Sequence, residues 1–172
     1  KLLSLVEEQQ RSTALLAKEM ESTISQLTGA FNLGNAKPGV RFFEGKEGLK
    51  QALWDSLDAK STIYTMSKAN YSNPFAQEID QAYVTERLRR KIKKKMILFG
   101  NVTTSVLPNE LTEVKKINQA NLIQDIAVQI YDDTVSYLTI TNETAVAFLI
   151  KNPAIAAYHR AVFETMWPQA QY

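Results

Sequence analysis

The chain has 172 residues, of which 45% are hydrophobic and 22% charged, and its net charge is +2. These values predict about one domain with a hydrophobic core and exclude disordered and collagen-like chains. The sequence contains no Cys, which excludes disulfides and thiolate metal sites and is typical of a reducing compartment. Its longest apolar run, residues 145–150, is far shorter than the ~20 residues that span a bilayer. We therefore expect a cytoplasmic protein.

The first segment, residues 1–34, predicts a long amphipathic helix that begins without a signal-peptide pattern, as in a fragment of a longer protein. The narrow apolar stripe favours a parallel homodimeric coiled coil, and packing of the helix on its own domain is the alternative. Glycine and proline between Gly34 and Gly39 predict the boundary to a domain at 38–172. The stripe consists of Leu2, Val6, Leu16, Met20, Ile24, Leu27 and Phe31.

The following region alternates between strand and helix patterns. Short β-branched or aromatic runs indicate strands, and apolar residues at spacings of three and four indicate helices. This order predicts an α/β fold with a mixed sheet flanked by helices. The predicted elements are a strand at Val40–Phe43, a helix at 46–58, a strand at Ile63–Met66, a helix at 74–94 and a strand at Met96–Phe99.

The second half predicts an antiparallel meander. Residues 102–124 are polar and poorly periodic, with a short helix possible after Pro108. Alternating apolar residues then indicate three strands, the first two joined by a turn at Asp132 and Asp133. Asn152 followed by Pro153 predicts the start of a final helix. The three strands are placed at 126–130, 134–140 and 145–150.

Few residues suit catalysis or metal binding. His159 is the sole histidine and lies on the apolar face of the final helix, which favours a core or interface role. No Cys or second His completes a zinc site, and adjacent side chains at Asp132 and Asp133 point apart. The sequence also lacks a phosphate-binding loop and a dinucleotide motif. We therefore expect no catalytic residues, no metal and no cofactor.

A basic run closes the second predicted helix. Residues 87–95 hold seven Lys and Arg and no acid. They form either a solvated helix face around buried Leu88 and Ile92, a surface that attracts nucleic acid, or the approach to an anionic effector. Because the run lacks interleaved aromatic residues and a recognition motif, we expect no sequence-specific DNA binding by it.

Several stretches of the chain resemble one family. Residues 40–49, the helix-to-strand junction at 86–97, the turn at 130–135 and the closing helix at 152–167 are similar in order and spacing to the effector domain of TrmB-like transcriptional regulators. The resemblance implies a phospholipase-D-like fold. It also implies a winged helix-turn-helix upstream of Lys1 that binds DNA, with residues 1–34 as the dimerising linker helix.

The resemblance also bears on activity. Enzymes of this fold carry a His-x-Lys-x4-Asp motif, which this chain lacks, so we expect the chain not to be an enzyme. Sugar-sensing members have a further C-terminal domain, whereas this sequence ends at Tyr172. The expected function is effector sensing and dimerisation in a transcriptional regulator. The alternatives are an interaction scaffold without a ligand and a phosphodiesterase.

The position of an effector follows from topology. Ligands of open α/β sheets bind beyond the carboxyl ends of the parallel strands. This rule selects Glu44, Ser67, Lys68 and Asn101 as the candidate residues for binding a sugar or an anion, although all four also suit cap and loop roles.

Overall fold

The computed structural model describes residues 39–68, 74–100, 109–119, 126–140 and 145–171. The predicted N-terminal helix and Asn101 lie outside these ranges. Short 3₁₀ turns follow α1 at Ser56–Asp58 and α3 at Trp167–Gln169. The described elements are β1 (Gly39–Glu44), α1 (Gly45–Asp55), β2 (Ile63–Lys68), α2 (Pro74–Arg89), β3 (Lys94–Phe99), β4 (Thr112–Ile117), β5 (Ile126–Tyr131), β6 (Thr134–Ile140), β7 (Ala145–Lys151) and α3 (Pro153–Met166).

The strands form one mixed sheet in the order β1-β7-β6-β5-β2-β3-β4. Strands β2, β3 and β4 are parallel, and every other neighbouring pair is antiparallel. The predicted mixed sheet and the β5–β6–β7 meander are therefore confirmed. None of the helices within the described ranges has the length and apolar character needed to cross a membrane.

Helices cover both faces of the sheet, so its central strands are buried on two sides. Under α1 and α2, a core forms around Leu49, Tyr83 and Leu149. Under α3, a second core forms around Ile97 and Phe163. Successive residues of a strand point to opposite faces, which is why consecutive residues of β2 and of β5 pack in different cores.

The second helix is shorter than the sequence predicts. We expected it to reach residue 94, but α2 ends at Arg89. Lys91 takes a left-handed conformation with φ of 58°, and the Ile92 amide donates to the Arg87 carbonyl at 3.1 Å. This is the geometry of a Schellman C-cap, in which glycine is the usual left-handed residue. Because a lysine and not a glycine occupies this position, the sequence gives no signal that the helix ends here.

Strand β4 is absent from the sequence prediction, which placed only a possible short helix after Pro108. The strand pairs in parallel with β3 along its whole length. Thr112 and Val114 are buried while Glu113 is exposed, so burial alternates along the start of the strand. The first buried position is occupied by the polar residue Thr112 and not by an apolar one. Its isolated sequence therefore carries no clear period-two hydrophobic signal.

The predicted turn between β5 and β6 is confirmed, and it is built on Asp132. This residue adopts φ of 44°, a conformation that aspartate tolerates better than most residues. Its carboxylate accepts the backbone amides of Lys60 at 3.1 Å and Ser61 at 2.9 Å. These donors outweigh its partial burial and lower the pKa of Asp132. The turn thus ties the β5–β6 hairpin to the start of β2.

The predicted start of the final helix is also confirmed. The Asn152 side chain accepts the amides of Ala154 at 2.9 Å and Ile155 at 3.1 Å. Pro153 occupies the first helical position, where its missing N–H costs nothing.

Candidate functional site

Two of the predicted effector residues, Ser67 and Lys68, end strand β2. Ser67 is buried, and its register partner is Ala127 of β5. Lys68 follows it at the exposed edge of the sheet, beside the end of the parallel strand β3. Both residues therefore lie at the carboxyl edge that the topology rule selects, but as successive residues of one strand their side chains point to opposite faces of the sheet.

Glu44 lies at the same edge but far from that pair. It ends β1, the outermost strand, and four strand intervals separate β1 from β2. At ~4.8 Å per interval, this distance is about 19 Å. Glu44 also occupies the N-cap position of α1 without a side-chain capping bond. One small ligand cannot contact Glu44 and Ser67 together.

A row of buried polar side chains crosses the sheet under α1 and α2. Thr65 of β2 is opposite Gln129 of β5, which is opposite Ser136 of β6. In each of the three side chains an oxygen is buried without a hydrogen-bond partner. The Tyr83 hydroxyl of α2 bonds the Ser56 hydroxyl at 2.8 Å in the same layer. This row was not predicted from the sequence, although Thr65 and Ser67 share one face of β2.

The buried end of α2 carries a guanidinium group. Arg87 is only 2% exposed because it follows Tyr83 by four residues on the buried face of the helix. It donates to the carbonyl oxygen of Ile92 at 2.6 Å and to that of Leu111 at 3.3 Å, and to the Thr112 hydroxyl at 2.6 Å. Burial lowers the pKa of Arg87. The arginine thus joins the end of α2 to the starts of β3 and β4.

The basic run therefore does not form a continuous charged surface. Besides Arg87, Lys94 is buried. Arg89 and Arg90 both bind the Glu86 carboxylate, and these bonds lower the pKa of Glu86 to about 2. Lys95 pairs with Glu113 at 3.3 Å and also lies over the Trp167 ring. Among the described residues of the run, Lys91 and Lys93 are the cations that remain exposed without an ion pair.

The prediction that the run is a solvated face around buried Leu88 and Ile92 holds only in part. Ile92 is buried, but Leu88 is half-buried. The guanidinium of Arg87 takes the interior position instead. The spacing of four from Ile79 to Tyr83 and from Tyr83 to Arg87 is the signal that locates it.

Lys94 is the second buried cation of this region. Its ammonium lies 5.2 Å from the centre of the Tyr83 ring. Burial lowers the pKa of Lys94 to about 8, and burial also raises the pKa of Tyr83 to about 12. Near neutral pH the charged lysine therefore lies in the interior, stabilised by the ring face and the distant charge of Asp80.

A polar cavity of about 470 Å³ opens at the opposite edge of the sheet. Tyr131 donates its hydroxyl to the Asp55 carboxylate at 2.8 Å, and Arg41 pairs with the same carboxylate. The remaining wall carries both signs of charge, with Lys60, Lys151, Asp58, Asp132 and Asp133. No site was predicted at this edge from the sequence, because its residues come from five separate segments.

His159 lies half-buried between α3 and β6. Its Nδ1 is 2.9 Å from the Ile155 carbonyl oxygen, so this nitrogen carries the proton and donates. Its Nε2 then accepts the hydroxyl of Tyr137. His159 is followed by Arg160 and Ala161, so it does not begin a His-x-Lys-x4-Asp motif.

Comparison with known proteins gives matches at the level of structure. No protein-family model and no curated protein matches the sequence. Nuc from Salmonella typhimurium, a phospholipase D family member, matches with 19% identity over 78% of this chain and 97% of its own, at a TM-score of 0.58. NucT from Helicobacter pylori matches with 13% identity over 78% of this chain and 99% of its own, at a TM-score of 0.55.

A third structure resembles more of the chain. TrmBL2, an archaeal chromatin protein with a novel mode of DNA binding, matches with 14% identity and a TM-score of 0.51. The match covers 96% of this chain and 66% of TrmBL2. These likenesses show a phospholipase-D-like fold, as the sequence resemblance implied, and TrmBL2 is among the structures that this chain is similar to.

One expectation is contradicted. From the missing motif we expected that the chain is not an enzyme. Nuc and NucT share its fold over almost their whole lengths, and Nuc is a phospholipase D family member. The missing motif therefore does not suffice to separate this chain from the enzymes of that family.

The buried lysine gives a pH-dependent prediction. Because the pKa of Lys94 is about 8 in the folded state and 10.5 as the reference value, the unfolded chain binds more protons between these values, and stability rises with pH there. We expect Lys94→Met to raise the free energy of unfolding by about 3 kcal/mol at pH 7. This gain should shrink as the pH rises from 8 towards 10.5.

Urea denaturation at several pH values measures this difference. Lys93→Met, which removes an exposed lysine one residue away, is the matched control and should show no pH-dependent gain. A Lys94→Met gain that is constant across the range would contradict the interior position of the charge.

Proposed function

We propose that the chain is the effector-binding and dimerisation domain of a cytoplasmic transcriptional regulator of the TrmB type. In this proposal, a winged helix-turn-helix outside this sequence reads DNA. Residues 1–34 join two copies as a coiled coil. The α/β domain at 38–172 receives a small ligand and holds the two DNA-binding modules at a defined separation.

The extent of the likeness to TrmBL2 carries the proposal. It covers 96% of this chain, whereas Nuc and NucT match 78% of it. A likeness over nearly the whole chain supports a regulator of this type more than an isolated enzyme domain.

The charges of the domain agree with this division of labour. Phosphate contacts add affinity without sequence information, and base readout needs an element that enters a groove. The basic run is fixed in the fold through Arg87 and Lys94, and only Lys91 and Lys93 of its described cations are exposed and unpaired. Such a surface supports weak attraction to any polyanion.

For the effector we propose the carboxyl edge of β2 and β3. Ser67 and Lys68 are its described residues, and Asn101 follows β3 in sequence. Glu44 belongs to the same edge but contributes to a separate part of the surface. The exposed ammonium of Lys68 at this edge suits an anion or a sugar phosphate.

The proposal predicts a dimer that binds DNA weakly and without preference. At tens of micromolar, sedimentation of the 172-residue chain should give a dimer. Fluorescence anisotropy should give equal, salt-sensitive affinities for the duplex upstream of the protein's own gene and for a scrambled duplex. Replacing Lys91 and Lys93 by Ala should weaken both affinities more than the equally charged control, Lys50→Ala with Lys60→Ala.

Two results would contradict this division of labour. A monomer at those concentrations would remove the dimerisation function. A tenfold or greater preference for the native duplex at physiological salt would place DNA recognition in this domain.

The effector edge is tested with two probes, inorganic phosphate and glucose 6-phosphate. We expect at least one to raise the melting temperature of the chain, and Lys68→Ala to abolish that shift. Lys151→Ala, which removes a lysine from the cavity at the opposite edge, is the control and should leave the shift intact. Loss of the shift in the Lys151 variant alone, or no shift with either probe, would contradict the proposed site.

Phosphodiester hydrolysis is the second candidate function, supported by the fold shared with Nuc. A histidine-dependent reaction would require His159, since the sequence has no other. Turnover of bis-p-nitrophenyl phosphate by the chain, abolished by His159→Ala and retained by the exposed neighbour variant Tyr158→Ala, would establish this function in place of the regulatory one.

A further inference from the structure

The two outermost strands of the sheet differ in how their free edges are protected. Strand β4 lies at one side and carries the charged residues Glu113, Lys115 and Lys116. Its outer edge is also partly covered, because Lys116 and Gln171 exchange backbone hydrogen bonds of 2.6 and 2.9 Å. Charged side chains and a covering segment are common ways in which an edge strand is kept from pairing with another chain. The β4 edge is therefore protected.

Strand β1, at the other side of the sheet, lacks both kinds of protection. Within the described ranges it pairs with β7 alone, so the backbone groups along its outer edge have no partner strand there. Its six residues include no proline and no lysine. Arg41 is its one cation, and that side chain pairs with Asp55. An edge of this kind is suited to accept a further strand.

Exposed apolar side chains accompany this edge. Val40 and Phe42 are 63% and 54% exposed, and they share one face of β1 because they are two residues apart. Phe148 of β7 is the register partner of Phe42 and is 41% exposed, and the two ring centroids are 5.1 Å apart. A contiguous apolar surface of this kind usually marks a contact with another protein. We call Val40, Phe42 and Phe148 the β1 patch.

The charges around the β1 patch favour a protein strand over nucleic acid. Stacking platforms for single strands combine aromatic rings with a positively charged groove. Arg41 of β1 and Lys151 of β7 point to the opposite face from the patch, and both line the cavity beside Asp55. The charged residue that shares the face of Phe42 on β1 is the exposed Glu44. The patch therefore lacks the cations that a nucleic-acid platform requires.

We propose that β1 pairs in antiparallel orientation with β1 of a second copy of this chain, with a two-fold axis at Phe42. A two-fold axis perpendicular to the sheet makes one continuous sheet from the two domains and closes the free edge of both at once. The β1 patches of the two copies then lie side by side on the same face. The contact goes beyond the proposed function, because it uses the described residues of the sheet and needs neither DNA nor an effector.

The sequence of β1 favours this register over its neighbour. Because side chains alternate between faces, residues opposite each other must belong to the same face, so the axis passes through a residue. The two registers with the longest overlap have the axis at Arg41 or at Phe42. An axis at Arg41 sets two guanidinium groups opposite each other, and like charges destabilise a cross-strand pair.

An axis at Phe42 instead pairs the aromatic ring with its own copy. Since Phe148 is the register partner of Phe42, the four rings of the two copies form a row across the joined edge. Aromatic pairs are among the cross-strand pairs that stabilise a sheet. The same axis can also pass through a coiled coil, so the contact is compatible with the proposed dimer.

Cross-linking at the axis tests the contact, because the chain has no native Cys. Opposite residues of antiparallel strands have Cα atoms ~4.5–5.5 Å apart, within the ~7 Å limit of a disulfide. Under mild oxidation we expect the full chain with Phe42→Cys to give a product of dimer mass on a denaturing gel without reductant.

Tyr158→Cys is the matched control, since this side chain is 66% exposed on α3. Helix α3 packs on β6. In the proposed dimer, β6 and its copy are separated by five strand intervals, or about 24 Å. The control should therefore form the cross-linked dimer at least tenfold more slowly than Phe42→Cys.

A second readout avoids any requirement for disulfide geometry. Phe42→Glu places two carboxylates opposite each other at the axis, and we expect it to raise the dissociation constant of the dimer in sedimentation at least tenfold. Tyr158→Glu, which adds the same charge at an exposed position away from the axis, should leave that constant unchanged.

Three outcomes would overturn the proposal. The first is no cross-linked dimer with Phe42→Cys, and the second is equal rates of cross-linking for Phe42→Cys and Tyr158→Cys. The third is a dissociation constant that Phe42→Glu does not change. A chain that still sediments as a dimer in these cases would keep the dimerisation of the proposed function and exclude the β1 contact alone.

Discussion

The buried guanidinium of Arg87 is the contact on which the parallel half of the sheet depends. It lies at the C-terminal end of α2 and donates hydrogen bonds to groups just before β3 and at the start of β4. Three elements that are separate in sequence meet at this one side chain. The planar guanidinium donates these three bonds from two terminal nitrogens held in a fixed geometry, whereas a lysine ammonium presents all its donors from a single nitrogen.

That contact also determines how the charges of the domain can act. A run of seven cations looks like a binding surface for polyanions when it is read as sequence. In the fold, Arg87 and Lys94 point inwards, and Arg89, Arg90 and Lys95 are held by carboxylates. The described run is therefore largely part of the framework, and the effector site proposed above lies at the opposite edge of the sheet from it.

Several features could be predicted because they depend on local chemistry. The alternation of β5, β6 and β7, the turn at Asp132 and the cap at Asn152 each leave a signal within a few residues. The overall class of the fold followed from the order of these elements, and the resemblance to one family agreed with it. Ser67 and Lys68 lie at one edge of the sheet because both end the same strand, and their role in binding an effector stays a prediction.

Other features depend on contacts distant in sequence. Strand β4 has a polar sequence and exists because it pairs with β3. The early end of α2 depends on a left-handed lysine, Lys91, for which the sequence carries no marker such as glycine. Glu44 is far from Ser67 because β1 pairs with the outer side of β7. The order of strands in a sheet cannot be predicted from the residues of any one strand. The row formed by Thr65, Gln129 and Ser136 is visible only once the strands are in register.

The most direct test of this account compares the stability of two conservative variants. Arg87→Lys keeps the charge but loses the fork of donors. We therefore expect urea denaturation to show a loss of about 2–4 kcal/mol in the free energy of unfolding, because buried carbonyl and hydroxyl groups lose their partners. Arg89→Lys, two residues away and exposed with a carboxylate partner, should cost less than about 0.5 kcal/mol. Equal and small losses in the two variants would contradict the structural role assigned to Arg87.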